Sequence, residues 1–232
     1  MGESGMDADA RSSEPRYFGD HDPRFALTLL GVFLAVFVLL AIDPATRSDW
    51  LLENALVVAA LVWLIPSYRR LPLSNLACGL LFAFGVLHEI GAHHQYSDVP
   101  YDRWFAAIGG GQSLDALFGF ERNQFDRLVH FLYGLLITPV AAEVIAARVR
   151  LRGLWLFLLP VTFTMSHSLI YELIEWFAAS LFGGDLGQAY LGTQGDVWDA
   201  QKDMLLATLG SLIAQPLWMW RVARWQTRPR AG

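Results

Sequence analysis

The sequence predicts an all-α fold, a polytopic transmembrane helical bundle of about six spans with a long outer loop containing short interfacial helices. Three observations carry that expectation. Only 17% of the 232 residues are charged and 54% are hydrophobic, whereas soluble domains carry about 25% charged residues. Residues 25 to 42 (FALTLLGVFLAVFVLLAI) form an unbroken apolar run, which at about 1.5 Å per residue crosses most of a hydrocarbon core of roughly 30 Å. Further apolar segments follow, set apart by Pro, Gly or charge clusters.

The same composition excludes other classes. An aromatic content of 13% argues against a disordered chain, and the lone Cys78 leaves no disulfide framework. A net charge of -5 would repel phosphates, so no nucleic acid is expected as a partner. The expected partner is the lipid bilayer.

The first span, 25 to 42, exceeds a signal-peptide core of about 7 to 15 residues, and Ile42-Asp43-Pro44 offers no small-x-small cleavage site. The remaining spans are expected at about 50 to 66, 73 to 90, 127 to 147, 153 to 180 and 202 to 220. The resulting organisation is a disordered cytoplasmic tail over 1 to 22, a six-helix membrane domain over 23 to 222, and a basic cytoplasmic tail over 223 to 232. Lys and Arg near spans tend to stay cytoplasmic. With the N-terminus inside, twelve of the seventeen fall on the inner side, including Arg69, Arg70, Arg148, Arg150 and Arg152. Both termini are therefore expected in the cytoplasm of a multi-pass inner-membrane protein.

That topology gathers the scarce polar side chains at the outer side. The third span ends with His88 and Glu89, followed by His93 and His94; the fourth starts with Asp126 and His130. The fifth carries Glu172 and Glu175 towards its outer end, and the sixth opens with Asp196, Asp199 and Asp203. Asp126 and His130 are i, i+4, and Glu172 and Glu175 are i, i+3, so each pair shares a helix face. An ionised group at bilayer depth costs at least about 2.5 to 3.5 kcal/mol, so these groups should face the bundle interior. Carboxylates beside imidazoles on neighbouring helices resemble in outline the way bundles hold metals. The expected ligands are His88, Asp126, His130, Glu172, Glu175, Asp199 and Asp203, for a divalent Zn, Mn or Fe ion, with His93 as a catalytic base. HExxH is absent, and the donor set does not choose among those metals. Plainer roles stay open: His88 as a helix C-terminal charge, and Asp196 and Asp199 as N-terminal caps.

The outer loop from 91 to 126 is too long for a plain connection. Its Asp102 to Ile108 and Ser113 to Phe120 stretches, hinged at Gly109, Gly110 and Gly111, read as two short amphipathic pieces roofing the polar pocket.

The segments LHEIGAHHQYSDVPYD (87 to 102), FGFERNQFDRLVHF (118 to 131), SLIYELIEW (168 to 176) and YLGTQGDVWDAQKDM (190 to 204), in this order among six apolar runs, resemble the YjdF-like family of bacterial inner-membrane proteins. The resemblance covers about 25 to 220 and carries across His88, Gly91, His93, Tyr96, Pro100, Asp126, His130, Glu172, Glu175, Gly195, Asp196, Asp199 and Asp203. It departs at His94, where a tyrosine is expected after His93. The Gly-Asp-x-x-Asp-x-x-x-Asp pattern with Gly210 is more faintly similar to VanZ-like membrane proteins. Neither resemblance supplies a reaction. Three readings follow from the residues: a metal-dependent hydrolase or transferase acting on a lipid-linked substrate, a small-molecule or ion transporter, and a structural protein whose polar network is no site.

Overall fold

The computed structural model describes residues 20–71, 73–184, 187 and 191–227. Among them the chain forms α1 (Pro23–Leu40), α2 (Arg47–Ser67) with a 3-10 turn (Tyr68–Arg70), α3 (Asn75–His93), α4 (Tyr101–Ile108), α5 (Leu114–Phe118), α6 (Phe125–Arg148), α7 (Leu154–Phe182) and α8 (Asp199–Thr227). The fold is an all-helical bundle. The end carrying α4 and α5 is the loop end. The expected N-terminal tail lies outside the described residues over 1–19, and the basic tail over 228–232.

Helices α1, α2 with its turn, α3, α6 and α7 are long and apolar enough to cross a membrane. Helix α8 has 29 residues, about 44 Å of rise, but is not among those five. Its position explains its polarity. Asp203 is 3% exposed and Ser211 and Gln215 are fully buried, so a polar stripe on α8 faces its neighbours rather than hydrocarbon. By contrast, α1 buries only Phe33 and exposes Leu27, Val38 and Leu39, as a lipid-facing helix does.

Local chemistry sets the helix starts. Asp22 caps α1 by accepting from the Arg24 N–H at 2.9 Å, with Pro23 at the first helical position. Residues 20–22 are tied to the start of α3: Asn75 N–H donates to the Asp20 carbonyl, and Asp22 N–H to Asn75 Oδ1, both at 2.8 Å. Ser74 caps α3, and its own N–H and hydroxyl donate to the buried Glu143 carboxylate of α6 at 2.9 and 2.8 Å. Glu143, the one acid towards the end opposite the loops on α6, thus locks α3 to α6.

Helices α6 and α8 make the tightest contact in the bundle. A Cβ on Gly134 would run into the Ala207 carbonyl, and one on Gly210 into the Phe131 carbonyl, so only glycine permits this approach. Just beyond the crossing, Thr138 Oγ1 lies 3.0 Å from Thr164 Oγ1 of α7 and 2.8 Å from Ser211 Oγ of α8. Pro160 in α7 lacks the N–H that would bond the Leu156 carbonyl one turn earlier. Gln215 of α8 replaces it, its Nε2–H donating to that carbonyl at 2.6 Å. Small side chains and paired hydroxyls thus substitute for a hydrophobic driving force that lipid does not provide.

The 94–124 connection contains the two short helices expected of it. They are hinged at Gly109–Gly111, where Gly110 and Gly111 have φ of 73° and 92°. Asp102 holds them together by accepting from Ser113 Oγ at 2.7 Å and Asp115 N–H at 2.9 Å. Ile108, Leu117 and Phe118 are exposed, which gives this pair an apolar outer surface suited to the interface.

The α6–α8 crossing yields a prediction. Gly134→Ala and Gly210→Ala each add a methyl group where backbone already sits, and lose about 1 to 3 kcal/mol. Gly31→Ala, which meets nothing within 4 Å, leaves the thermal unfolding midpoint in detergent unchanged. Gln215→Leu orphans the Leu156 carbonyl and loses about 1 kcal/mol on the same measurement.

Candidate metal centre

Three ligand-bearing side chains meet at the loop end of the α6–α8 seam. Asp126, His130 and Asp203 each offer one donor atom, all within 4.8 Å of one another. The first two lie one turn apart on α6 and Asp203 faces them from α8, seven residues before Gly210. Helix α7 adds a fourth group. His130 Nε2 lies 3.6 Å from Asp126 Oδ1 and 3.6 Å from Glu172 Oε1. Asp203 Oδ1 and Glu172 Oε1 are buried and make no hydrogen bond, which is costly for carboxylate oxygens unless a cation or proton satisfies them.

The donors fit a small divalent ion. Ligands about 2.1 Å from a metal lie roughly 3 to 4.2 Å from one another, so small side-chain rotations close the trio. Three carboxylates and one imidazole form an oxygen-rich set of the kind that manganese, iron and zinc accept. The Tyr171 ring stands edge-on to His130 with centroids 5.9 Å apart, and its hydroxyl donates to Glu53 Oε2 at 3.2 Å.

The other expected residues have different surroundings. Glu175 lies within electrostatic reach of Glu172, Asp126 and Glu53, beside the trio. Asp199 is instead an ion-pair partner: Arg122 reaches its two oxygens at 2.6 and 3.2 Å, and Arg127 is 3.2 Å from Oδ1. His88 is hydrogen-bonded through Nδ1 to the Tyr96 hydroxyl at 2.5 Å. The two rings fit because Gly91 leaves room; a Cβ there would lie 2.6 Å from the Tyr96 ring. His93 donates from Nδ1 to the Leu40 carbonyl at 2.8 Å, pinning the end of α3 to the end of α1.

Sequence reasoning missed α2. Asp49 and Glu53 are 1% and 4% exposed, and Glu89 of α3 is fully buried with neither carboxylate oxygen hydrogen-bonded. The signal was present: Asp49 and Glu53 are i, i+4 on a helix that enters from the same end as the other acids.

Basic residues strap the loop before α8 onto the start of α6. Arg122 also donates to the Thr193 carbonyl at 2.9 Å, and Asn123 and Gln194 exchange hydrogen bonds at 3.0 and 3.2 Å. Asp196 accepts from Arg127 and Lys202, each at 2.5 Å. The Lys202 hydrogen bond, helped by the Trp198 N–H and Arg127, pushes the Asp196 carboxyl down to about 2. In the connection, burial and then the Asp115 hydrogen bond push the Tyr101 phenol up to about 12.

Comparison with known proteins places this arrangement in context. The family described as "Predicted membrane protein (DUF2238)" matches residues 25–224. The "Inner membrane protein YjdF" of Escherichia coli (strain K12) is 33% identical over 178 residues, which cover 76% of this chain and 80% of the relative. No solved structure matches the chain.

The strap yields two predictions. Arg122→Gln leaves a buried carboxylate with one cation fewer and loses about 3 kcal/mol, seen as a lower unfolding midpoint and several-fold faster proteolysis between 191 and 198. The Asp196 pairing is fully present above its ordinary value of 3.8 and is lost as pH falls towards about 2. Proteolytic protection with an acid-tolerant protease therefore declines over that window, and Asp196→Asn removes the step.

Proposed function

The chain belongs to the family described as Predicted membrane protein (DUF2238), and from that premise we propose that it is a metal-dependent hydrolase or transferase acting on a lipid-linked substrate. One observation supports this above the others: Asp126, His130 and Asp203 converge within 4.8 Å beside a Glu172 oxygen that has no hydrogen bond. A structural network would satisfy its members, as Glu143 with Ser74 and Thr138 with Thr164 and Ser211 are satisfied. A transport pathway would continue the unsatisfied acids to the opposite end, where Glu143 of α6 is instead held by two hydrogen bonds from Ser74.

In this reading Asp126, His130, Asp203 and Glu172 hold the cation. A bound divalent ion supplies Lewis-acid polarisation of a phosphoryl or acyl oxygen and activation of water. Glu175, beside Glu172, accepts the proton from the attacking hydroxyl or water. We assign that step to Glu175 rather than His93, because His93 sits at the end of α3 against the end of α1, where its Nδ1–H donates to the Leu40 carbonyl, and is not among the convergent donors. Glu53 and Tyr171 orient His130 from the side, and Asp199 with Arg122 and Arg127 fixes the start of α8 and so the depth of Asp203. Following the name of its relative and the distribution of Lys and Arg, we place the protein in the inner membrane, with cytoplasmic termini and the cluster facing outwards.

Elemental analysis of the purified protein tests the reading. The expected result is about one manganese, iron or zinc per chain, lost in Asp203→Asn and His130→Gln while circular dichroism and the unfolding transition persist. Metal-free wild-type protein that stays metal-free after incubation with each ion would overturn it.

A further inference from the structure

A cavity of about 600 Å³ lies between α1, α2, α3, α6 and α7, within the range of about 300 to 1,000 Å³ typical of small-molecule sites. Its walls are hydrocarbon: Leu30 and Phe33 of α1, Leu61 and Leu64 of α2, Leu81 and Phe84 of α3. Polar groups are concentrated at the loop end, where His88, Tyr96, Asp126, His130 and Tyr171 line it. Along α3 the lining runs from Cys78 to His88, ten residues or about 15 Å of helix rise.

The packing explains why the space exists. Helix α2 meets the rest of the bundle mainly through a short contact with α3, and Glu53 bridges to Tyr171 of α7. Below that bridge the facing residues include Ala60, Cys78 and Gly85, too small to close the gap. A Cβ on Gly85 would lie 2.9 Å from the Phe33 ring, so Gly85 sets how closely α1 approaches. An apolar space offers water too few partners to hold it.

We propose that this chamber binds the long hydrocarbon chain of an anionic lipid, the chain lying along α2 and α3 and the headgroup reaching the Asp126–His130 end. The occupant follows from the chemistry of the lining: a long apolar wall that ends at Asp126 and His130, two of the three convergent donors, matches a molecule with one long apolar tail and one charged head. The position of the head rests on the cation reading above, whereas that of the tail rests on the cavity alone.

The chain carries its own reporter, because Cys78 is the only cysteine and lines the cavity. The probe is hexadecyl phosphate bearing a chain diazirine, added to the full-length protein in phosphatidylcholine nanodiscs. At ten times its Kd it slows N-ethylmaleimide alkylation of Cys78 about tenfold, and photolysis puts adducts on α2 and α3 between Leu56 and Leu64 and between Cys78 and Gly85. Ala60→Trp fills the chamber and removes those adducts while metal content stays at the wild-type level. Adducts confined to lipid-facing residues outside the chamber such as Val38 and Leu39, with Cys78 alkylated at an unchanged rate, would overturn the proposal. The two readings fail separately: chamber adducts on a metal-free protein uphold the chamber and sink the cation site, and bound metal without chamber adducts does the reverse.

Discussion

The backbone contact between α6 and α8 is the constraint on which the rest of the bundle depends. Gly134 and Gly210 let each helix press against a carbonyl of the other, which fixes depth as well as distance. Asp126, His130, Gly134 and Thr138 follow one another at four-residue intervals along one face of α6. Opposite them α8 presents Asp203, Ala207, Gly210 and Ser211. Moving along the seam, one meets the trio of Asp126, His130 and Asp203, then the glycine crossing, then the hydroxyl cluster with Thr164. A shift of one turn in either helix would set Asp203 against Gly134 and break both polar layers at once.

The two ends of this seam differ in how their buried acids are satisfied. Beyond the crossing, Glu143 is held by Ser74, the hydroxyls bond one another, and Gln215 restores the partner that Pro160 removed from Leu156. These are the terms of a bundle whose backbone finds no water in lipid. Towards the loop end, oxygens of Glu172, Asp203, Glu89 and Asp49 are buried without hydrogen bonds. The chain that satisfies the buried acid Glu143 at one depth leaves carboxylate oxygens open at another, where Asp126 and His130 line the apolar chamber. That contrast, rather than the number of acids, is what supports reading the loop end as a site.

Much of the architecture was legible in hydropathy, because a span must be apolar wherever lipid touches it. Five spans and the two short loop helices hinged at glycine came from that rule. Helix α8, expected as a sixth span at about 202 to 220, forms but is not among the five helices apolar enough to cross a membrane, since a helix buried on its polar face by α6 and α7 need not look apolar throughout. The convergence of Asp126, His130 and Asp203 followed from spacing and topology, two quantities that sequence carries. What spacing does not carry is the choice of partner. Asp199 lies one turn from Asp203 yet is taken by Arg122 and Arg127, and His93 lies five residues from His88 yet bonds Leu40 on another helix. Glu53 and Asp49 escaped notice because their helix read as an ordinary span, whereas in the fold Glu53 accepts from Tyr171 of α7.

The account therefore turns on whether His130 is a ligand in a shared site on the α6–α8 seam. Pulsed electron paramagnetic resonance on the manganese-loaded protein tests this most directly, because it detects nitrogen bonded to the ion. The account predicts one bound Mn²⁺ per chain with an imidazole nitrogen coupling that disappears in His130→Gln. Manganese bound with no nitrogen coupling, or with a coupling that survives His130→Gln, would contradict it.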